Sequence, residues 1–463
     1  MQAAVAAGHP ATVNAGIEIL EEGGSAADAA VAATLASCVA ETVMTGLLGG
    51  GHAIHYEAAS GTARNLDCFV AVPGLGAEQH RSELVHLDVL FGAELVHYAV
   101  GPASCAVPGL PAGLEALWRE HGRLPWPRLV EPAVRLARDG VEFPSAHAAC
   151  LAMLAPVMTM NEGARIYAPG GELLRAGERL EQPGLADALQ ALATELSSVY
   201  KGSIAASLLA LSAERGGLLT RADLDAYEPR WGEPVEVGYA GSRLMTRGGL
   251  SGLPETVPRL PRLQGLGETE RVLALVAVFA SGVDSEGDTT NVAVVDSEGN
   301  ACVVTSSLGL GSGDFLPGLD LHLNSMLGET DLLRGSLEPG ARMLSMMAPT
   351  VVLDGDGLSL AAGAAGGTRL RTALLGVIAG ILDEGLSPDA AVERPRFHPT
   401  PHVVNAEPGV DEEALLELEA RGRNVRRWPA PHHYFGGVSV VSRAGAAGDP
   451  RRSGSASTTL RTR

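Results

Sequence analysis

The chain has 463 residues, of which 46% are hydrophobic and 19% are charged, and this composition excludes an intrinsically disordered protein. Its 34 basic and 54 acidic residues give a formal net charge of −20, which argues against nucleic acids and anionic membranes as partners. Its five cysteines lie far apart without a Cys-x-x-Cys spacing, which argues against a disulfide framework and a zinc site. We expect no metal and no other cofactor.

The first half of the chain is predicted to be mainly helical. Residues 10–42 carry Ala, Ile and Leu at helical spacing around a break at Gly23-Gly24. The glycine-rich loop 46–51 leads into two short strands at 52–56 and 63–67. Apolar residues then recur at three- and four-residue intervals, which predicts further helices at 110–120, 126–139 and 185–196.

The second half is predicted to begin after a linker. Residues 247–271 are rich in Gly, Pro and Arg and lack periodicity, so the linker is placed at 247–288. The β-branched runs 289–295 and 301–307 flank a short polar loop and predict a β-hairpin. Strands at 350–353, 358–361 and 438–441 and a helix at 370–384 follow, and the tail 451–455 is predicted to be disordered.

The order of elements indicates the fold class, and the N-terminal composition indicates the location. Helices followed by sheet, then sheet followed by helices, predict an α+β protein with a four-layer αββα sandwich. The N-terminus has neither a basic start nor an apolar signal segment, and no run of eighteen apolar residues occurs. We therefore expect a cytoplasmic protein that does not span a membrane.

Thr289, which opens the predicted hairpin, is a candidate nucleophile. If the peptide bond before it is cut, its free α-amine, with a pKa of roughly 7.7–8.0, can accept the proton of its own hydroxyl. Taken alone, a Thr-Thr pair at the start of a strand reflects ordinary β-propensity. In the same way, Gly366-Gly367 alone indicates only a tight turn between a strand and a helix.

Further motifs, in a fixed order along most of the chain, change this interpretation. They are Gly23-Gly24-Ser25-Ala26-Ala27-Asp28-Ala29-Ala30, Gly46-Leu47-Leu48-Gly49-Gly50-Gly51, Gly216-Gly217-Leu218-Leu219-Thr220, Asp288-Thr289-Thr290, Gly366-Gly367-Thr368-Arg369 and Pro395-Arg396-Phe397-His398. With these motifs the chain resembles the γ-glutamyltranspeptidases, which are N-terminal-nucleophile hydrolases.

The resemblance implies a proenzyme that cuts itself between Asp288 and Thr289. The large-subunit region 1–288 and the small-subunit region 289–463 would stay together as fragments of one precursor, with further oligomerisation left open. Thr289 matches the family's nucleophile, and Ser307 matches a hydroxyl residue that supports it and assists cleavage. Gly366 and Gly367 match the pair whose N–H groups form the oxyanion hole, where glycine lets the main chain approach the oxyanion.

The chain departs from the family where a γ-glutamyl group would bind. Phe69 replaces an arginine that grips the substrate carboxylate, and a phenyl ring cannot make that bidentate contact. Gly309 replaces an asparagine, and Ser345-Met346 replaces a Ser-Ser pair. Glu329 remains as a possible partner for a substrate amine. Phe69, Glu329, Ser345 and Met346 are therefore expected to line a more apolar substrate pocket.

The main hypothesis is an enzyme that hydrolyses an amide, or transfers its acyl group, through an acyl-enzyme on a small-molecule substrate without a γ-glutamyl group. An alternative is a carbon–carbon bond hydrolase of secondary metabolism that removes an oxo-acid side chain from a proline-derived precursor, because attack on a carbonyl is the common first step. A third possibility is an uncleaved, inactive homologue, favoured by Gly309 and by a 247–288 segment that is shorter than in the family.

Overall fold

The computed structural model describes residues 2–77, 84–91, 94–280 and 289–459. One antiparallel sheet has seven strands and contains the predicted hairpin at its centre, with Thr290 opposite Ser306 and Val295 opposite Ala301. In spatial order its strands are Ser455–Thr458, Ala4–Ala7, Thr290–Val295, Ala301–Ser307, Gly50–Glu57, Thr62–Cys68 and Arg230–Gly232.

A second antiparallel sheet has six strands and stacks on the first. In spatial order its strands are Gly445–Gly448, Gly437–Ser442, Gly357–Ala365, Thr350–Asp354, Ser242–Thr246 and Val235–Tyr239. Along Thr290–Val295, Ala293 and Val295 pack between the two sheets, whereas Val292 and Val294 face the helices. A strand buried on both faces explains why this segment is apolar at successive positions.

Helices cover the outer face of each sheet. The helices Pro10–Glu21, Ala26–Ala40 and Leu110–His121 contact the seven-stranded sheet, and Trp126–Asp139 and Pro183–Thr194 extend the same core outward from Ala26–Ala40. The helices Arg369–Leu382 and Pro388–Glu393 contact the six-stranded sheet, and Glu268–Phe279 and Glu412–Ala420 belong to the same core. Every residue of Ala26–Ala40 is buried, and its small side chains permit close packing. The predicted α+β fold with four layers is confirmed.

The remaining elements are smaller or lie at the periphery. The other helices are Ser145–Met158, Gly163–Tyr167, Ser203–Arg215, Arg221–Ala226 and Leu253–Thr256. The small sheets pair Val85–Phe91 with Glu94–Val100, Val141–Glu142 with Arg179–Leu180, Phe315–Leu316 with Leu321–His322, and Phe397–Pro399 with Val404–Ala406 and Val425–Arg427. In the part of the chain that is described, no helix is long and apolar enough to cross a membrane.

The segment that the sequence predicts to be a linker is packed into the fold wherever it is described. Leu253, Val257 and Leu263 are buried in the core beside the six-stranded sheet. Glu268–Phe279 is a helix whose buried residues include Val272, Leu275, Val276 and Phe279. The glycines and prolines before residue 267 suggested a linker, but the helical spacing of these apolar residues decides the structure. Residues 281–288 lie outside the described residues.

The C-terminal tail is ordered up to residue 459, so the prediction of disorder at 451–455 is wrong. Ser455–Thr458 pairs with Ala4–Ala7 at the edge of the seven-stranded sheet. Arg451 is buried and pairs with the carboxylates of Glu407 and Asp449 at 2.5 and 3.3 Å. These partners compensate the cost of burying the guanidinium, a long-range effect that the local sequence does not reveal.

Candidate active site

Thr289 lies directly before the central strand Thr290–Val295 and is 5% exposed. Its carbonyl oxygen accepts a hydrogen bond of 3.3 Å from Nη1 of Arg452, a residue 163 positions further along the chain. The guanidinium of Arg452 also donates to the carbonyl oxygen of His433 at 3.3 Å. Arg452 therefore connects the residue before this strand to His433, which lies shortly before a strand of the six-stranded sheet. Asp288 lies outside the described residues, so the cleavage before Thr289 stays a prediction.

Ser307 faces Thr289 across the hairpin. The antiparallel register that pairs Thr290 with Ser306 continues by one residue to bring Ser307 opposite Thr289. Residues directly opposite each other in such a pair have side chains on the same face of the sheet. The hydroxyl oxygen of Ser307 accepts the N–H of Gly309 at 2.9 Å. The hairpin thus brings the two hydroxyl residues onto one pocket.

Gly366 and Gly367 form the turn between strand Gly357–Ala365 and helix Arg369–Leu382. Both have positive φ angles, of 118° and 55°, which favour glycine. A Cβ atom on Gly366 would lie 2.8 Å from Cα of Gly436, so the main chains also approach closely here. The turn lies at the N-terminal end of the helix, where main-chain N–H groups and the helix dipole favour negative charge.

Most of the predicted site residues line one narrow pocket, whose cavity volume is about 30 Å³. Its lining consists of Phe69, Thr289, Ser307, Met326, Glu329, Leu332, Ser345, Met346, Met347, Gly367 and Leu370. All four predicted substrate-binding residues are in this set, together with the predicted nucleophile, its supporting serine and one of the two predicted oxyanion glycines. Gly366 is not in the lining and lies against Gly436.

The pocket wall is mostly apolar. Phe69 is 1% exposed and stacks on the ring of His52, with centroids 5.6 Å apart. Among the described residues of the lining, Glu329 is the one charged side chain. Across the described chain, no group of three or more His, Cys, Asp or Glu residues could hold a metal ion.

Two half-buried arginines in this region use their guanidinium groups mainly on main-chain oxygens. Nη1 of Arg247 donates to the carbonyl oxygens of Ser345 and Met347 at 3.1 and 3.0 Å. Burial lowers the pKa of Arg247 to about 10, although the carboxylate of Asp67 raises it. Arg342 donates to the carbonyl oxygen of Phe69. These guanidinium groups hold the pocket wall in place, and neither is in the described lining of the pocket.

A larger residue at Gly309 would have to displace the side chains of Glu329 and Ser325. Its φ angle is 68°, and a Cβ atom would lie 2.4 Å from Oε1 of Glu329 and 2.6 Å from Oγ of Ser325. The carboxylate of Glu329 therefore occupies the space that the side chain of an asparagine would need. The departures at Gly309 and Glu329 are physically coupled.

Replacing Gly309 by asparagine is expected to destabilise the protein by about 1–3 kcal/mol and to produce no hydrolysis of γ-glutamyl substrates, because the new side chain collides with Glu329. Thermal unfolding and release of nitroaniline from γ-glutamyl-p-nitroanilide measure the two effects. Gly422→Asn is the matched control, since Gly422 also has a positive φ angle, of 81°, but has no atom within 4 Å of the added Cβ. Normal stability of Gly309→Asn would contradict the coupling.

A second, very small cavity, of about 10 Å³, lies on the other side of Thr289. The carboxylate of Glu41 faces it and accepts hydrogen bonds from the hydroxyls of Thr290 and Thr12. Burial raises the pKa of Glu41 to about 7, although these two hydroxyls and Arg452 lower it. A titrating carboxyl group thus binds the residue that follows the predicted nucleophile.

Glu41 and four buried histidines respond to acid in opposite directions. Burial lowers the pKa of each histidine from 6.5 to about 3; these are His55, His147, His322 and His398. Because the unfolded chain protonates its histidines below pH 6.5, their contribution to stability is fully present above that pH and is lost as the pH falls. The contribution of Glu41 is present below pH 4.5 and is lost as the pH rises through about 7.

Lowering the pH from about 7.5 to about 5.5 is expected to reduce the free energy of unfolding by at least about 3 kcal/mol. The four histidines account for a loss of about 5 kcal/mol and Glu41 for a gain of about 2 kcal/mol, at ~1.4 kcal/mol per pKa unit. Burial also lowers the pKa of His52, which adds to the loss. Urea unfolding at the two pH values measures this difference. His398→Asn should weaken the pH dependence. Equal stability at both pH values would contradict this expectation.

Several residues around Thr289 were missed in the sequence. Leu332 and Leu370 line the pocket. Glu41 and Arg452 line the second cavity, on the other side of Thr289. Arg452 lies in the tail predicted to be disordered, and its contact with Thr289 has no local signal. Leu370 could have been found, because it is the second residue of the helix that follows the two glycines.

Comparisons with known proteins show the family to which the chain belongs. The family model described as Gamma-glutamyltranspeptidase matches residues 12–257 and 273–459. The Acylase ACY 1 proenzyme of Pseudomonas sp. (strain SE83) is 28% identical over 503 residues, covering 95% of this chain and 89% of the relative. The Glutathione hydrolase proenzyme of Escherichia coli (strain K12) is 26% identical over 503 residues, covering 92% of this chain and 86% of the relative.

A solved structure is similar over nearly the whole chain. The cephalosporin acylase from Bacillus halodurans superimposes with a TM-score of 0.84 at 23% identity, covering 98% of this chain and 95% of the other. This similarity shows the fold. The stretch 258–272, which the family model leaves unmatched, falls in the segment that the sequence identifies as shortened.

Proposed function

The chain belongs to the γ-glutamyltranspeptidase family of hydrolases and acyltransferases, and we propose that it hydrolyses an amide whose acyl group is apolar and is not γ-glutamyl. The observation that carries the proposal is one pocket lined jointly by Thr289, Ser307, Gly367 and apolar side chains. The hydroxyl and the glycine turn supply the parts that acyl transfer needs, and the apolar wall selects the acyl group.

The chemistry begins with cleavage of the bond before Thr289, which frees its α-amine. The amine takes the proton of the Thr289 hydroxyl as Oγ1 attacks the substrate carbonyl carbon. The N–H groups of Gly366 and Gly367 stabilise the oxyanion at the N-terminal end of their helix. The carbon–nitrogen bond then breaks, and the ammonium of Thr289 returns the proton to the leaving amine.

The acyl group remains as an ester on Oγ1 of Thr289. Water attacks this ester, and the α-amine again accepts a proton before Oγ1 leaves and is reprotonated. Ser307 lies opposite Thr289 and orients its hydroxyl toward the carbonyl. The net reaction converts an amide and water to a carboxylic acid and an amine.

Selectivity against a γ-glutamyl group follows from the charge of the pocket wall. A γ-glutamyl group carries an α-carboxylate that needs a cationic partner, and the described lining offers Glu329 as its charged side chain. Placing a carboxylate beside Glu329 and Phe69 costs desolvation without compensation. An alkyl or aryl acyl group instead gains by contacting Phe69, Met326 and Met347.

The test is a set of p-nitroanilides with butyryl, hexanoyl, phenylacetyl and γ-glutamyl acyl groups. Release of p-nitroaniline gives kcat/KM, and mass spectrometry of the 289–463 fragment detects the ester on Thr289. We expect at least one apolar acyl group to be preferred over γ-glutamyl by about 100-fold or more, corresponding to ~2.7 kcal/mol. A preference for γ-glutamyl, or no release of nitroaniline by a protein cleaved before Thr289, would overturn the proposal.

A further inference from the structure

The strand that follows Thr289 is held differently along its two edges. On one edge, its pairing with Ala301–Ser307 extends over the whole strand and places Thr290 opposite Ser306. On the other edge, the described pairing with Ala4–Ala7 ends at Val292, which lies opposite Ala7. Residues 289–291 therefore depend on other contacts for their position on this second edge.

Side chains from distant parts of the chain make these contacts. Arg452 donates to the carbonyl oxygen of Thr289 at 3.3 Å. Oγ of Ser439 donates to the carbonyl oxygen two residues further along at 3.1 Å. Between these two contacts, the hydroxyl of Thr290 donates to Oε2 of Glu41. Glu41 thus holds the side chain of the residue that directly follows the predicted nucleophile.

The carboxyl group of Glu41 is itself fixed in place. Glu41 directly follows helix Ala26–Ala40 and is 1% exposed. Its Oε1 accepts the hydroxyl of Thr12 at 2.7 Å. Gly8 leaves the space that the carboxyl group occupies, because a Cβ atom there would collide with Oε2 and lie 3.0 Å from Oγ1 of Thr290. A buried carboxyl group with a hydroxyl donor on each oxygen is a rigid anchor.

Glu41 acts from the face of the strand opposite the nucleophile. Successive side chains of a strand point to opposite faces. Thr290 therefore shares with Val292 the face that packs on the helices, whereas Thr289 faces the pocket together with Ser307. Glu41 is not in the described lining of that pocket. Its effect on Thr289 must therefore pass through Thr290.

We propose that Glu41 is a positioning residue, which holds the hydroxyl of Thr290 and thereby fixes the direction of the hydroxyl and α-amine of Thr289. The inference rests on the proposed amide hydrolysis by Thr289 and adds a residue to it. A misplacement of about 1 Å at a reacting group can cost about 10²-fold in rate. The apolar wall that binds the acyl group is not part of this contact, so losing the contact lowers kcat and changes KM little.

The first test removes the hydroxyl of Thr290. Thr290→Val should lower kcat with the preferred anilide by about tenfold, per mole of processed protein, and change KM by less than about twofold. Thr290→Ser keeps the hydroxyl and should restore most of kcat. Thr350→Val is the matched control, because Thr350 is also a buried first residue of a strand and donates to Oγ1 of Thr246 at 2.9 Å.

Thr350→Val should lower the thermal midpoint as Thr290→Val does, but leave kcat unchanged. Unchanged kcat in Thr290→Val, or an equal loss of kcat in Thr350→Val, would overturn the inference.

The second test changes the acceptor. Glu41→Ala should lower kcat as Thr290→Val does, and the double variant should lose about as much as either single variant, because both remove one contact. Glu41→Gln keeps an acceptor oxygen and should keep most of kcat. Burial raises the pKa of Glu41 to about 7, so a neutral acceptor is already present in part of the molecules at neutral pH. Losses that multiply in the double variant, or an equal loss in Glu41→Gln and Glu41→Ala, would overturn the inference.

Amide hydrogen exchange gives a readout that needs no turnover. Mass spectrometry of peptides from 289–295 should show faster exchange in Thr290→Val than in the unchanged protein and in Thr350→Val, because the start of the strand loses its anchor. Unaltered exchange in Thr290→Val would overturn the inference even if amides are hydrolysed. Faster exchange in a protein that hydrolyses none of the anilides would uphold the anchor and overturn the proposed function.

Discussion

Replacing Thr289 by alanine is expected to leave the chain uncut and to lower kcat/KM by about 10⁴-fold or more. The variant lacks the hydroxyl that would attack the bond after residue 288 during maturation and the substrate carbonyl during turnover. Thr289 is 5% exposed and lines the pocket, so the loss of its hydroxyl removes the reacting atom while the apolar wall remains. A denaturing gel and initial rates with the preferred anilide measure the two effects.

Thr289→Ser is the matched control for this prediction. It keeps a hydroxyl and, once cut, an α-amine on the same residue, so it should mature and retain part of the turnover. Cleavage between residues 288 and 289 in Thr289→Ala would show that another group breaks the bond. Turnover by Thr289→Ala close to that of the unchanged protein would assign the nucleophile elsewhere.

Replacing Gly366 by alanine is expected to lower kcat by about 10²–10³-fold, the loss typical of removing one oxyanion donor. Its φ angle of 118° is unfavourable for alanine, and the added Cβ would lie 2.8 Å from Cα of Gly436. The turn must therefore shift, and its N–H groups move away from the position of the oxyanion. Steady-state kinetics of the processed variant measure the loss.

Gly385→Ala separates this effect from general strain at glycines. Gly385 has a φ angle of 72° and follows the same helix, but no atom lies within 4 Å of the added Cβ. Its replacement should cost about 1 kcal/mol of stability without changing kcat. Full turnover by Gly366→Ala, or an equal loss in Gly385→Ala, would contradict the proposed oxyanion turn.

The sequence predicted the parts of the fold whose signals are local. The hairpin follows from two β-branched runs around a polar loop, and the buried helix Ala26–Ala40 follows from its alanine content. The resemblance to a family assigned roles to motifs that lie far apart in the sequence. On that basis Phe69 and Glu329 were expected in the same pocket as Thr289. Both do line it.

The remaining features depend on contacts between distant parts of the chain. Arg452 reaches the carbonyl of Thr289 only because the last strand pairs with the first, at the edge of the seven-stranded sheet. The coupling of Gly309 to Glu329 depends on a close approach of two loops that no spacing reveals. The cavity beside the pocket of Thr289 is lined partly by the stretch 249–259. This stretch was predicted to be a linker because it is rich in glycine and proline, although its residues pack into the fold.

The mass spectrum of the purified protein, taken under denaturing conditions, is the most direct test of the central claim that Thr289 becomes an N-terminal nucleophile. The predicted result is two polypeptides, residues 1–288 and residues 289–463, with threonine as the first residue of the shorter one. A single chain of 463 residues, or a cut at any other bond, would contradict the account.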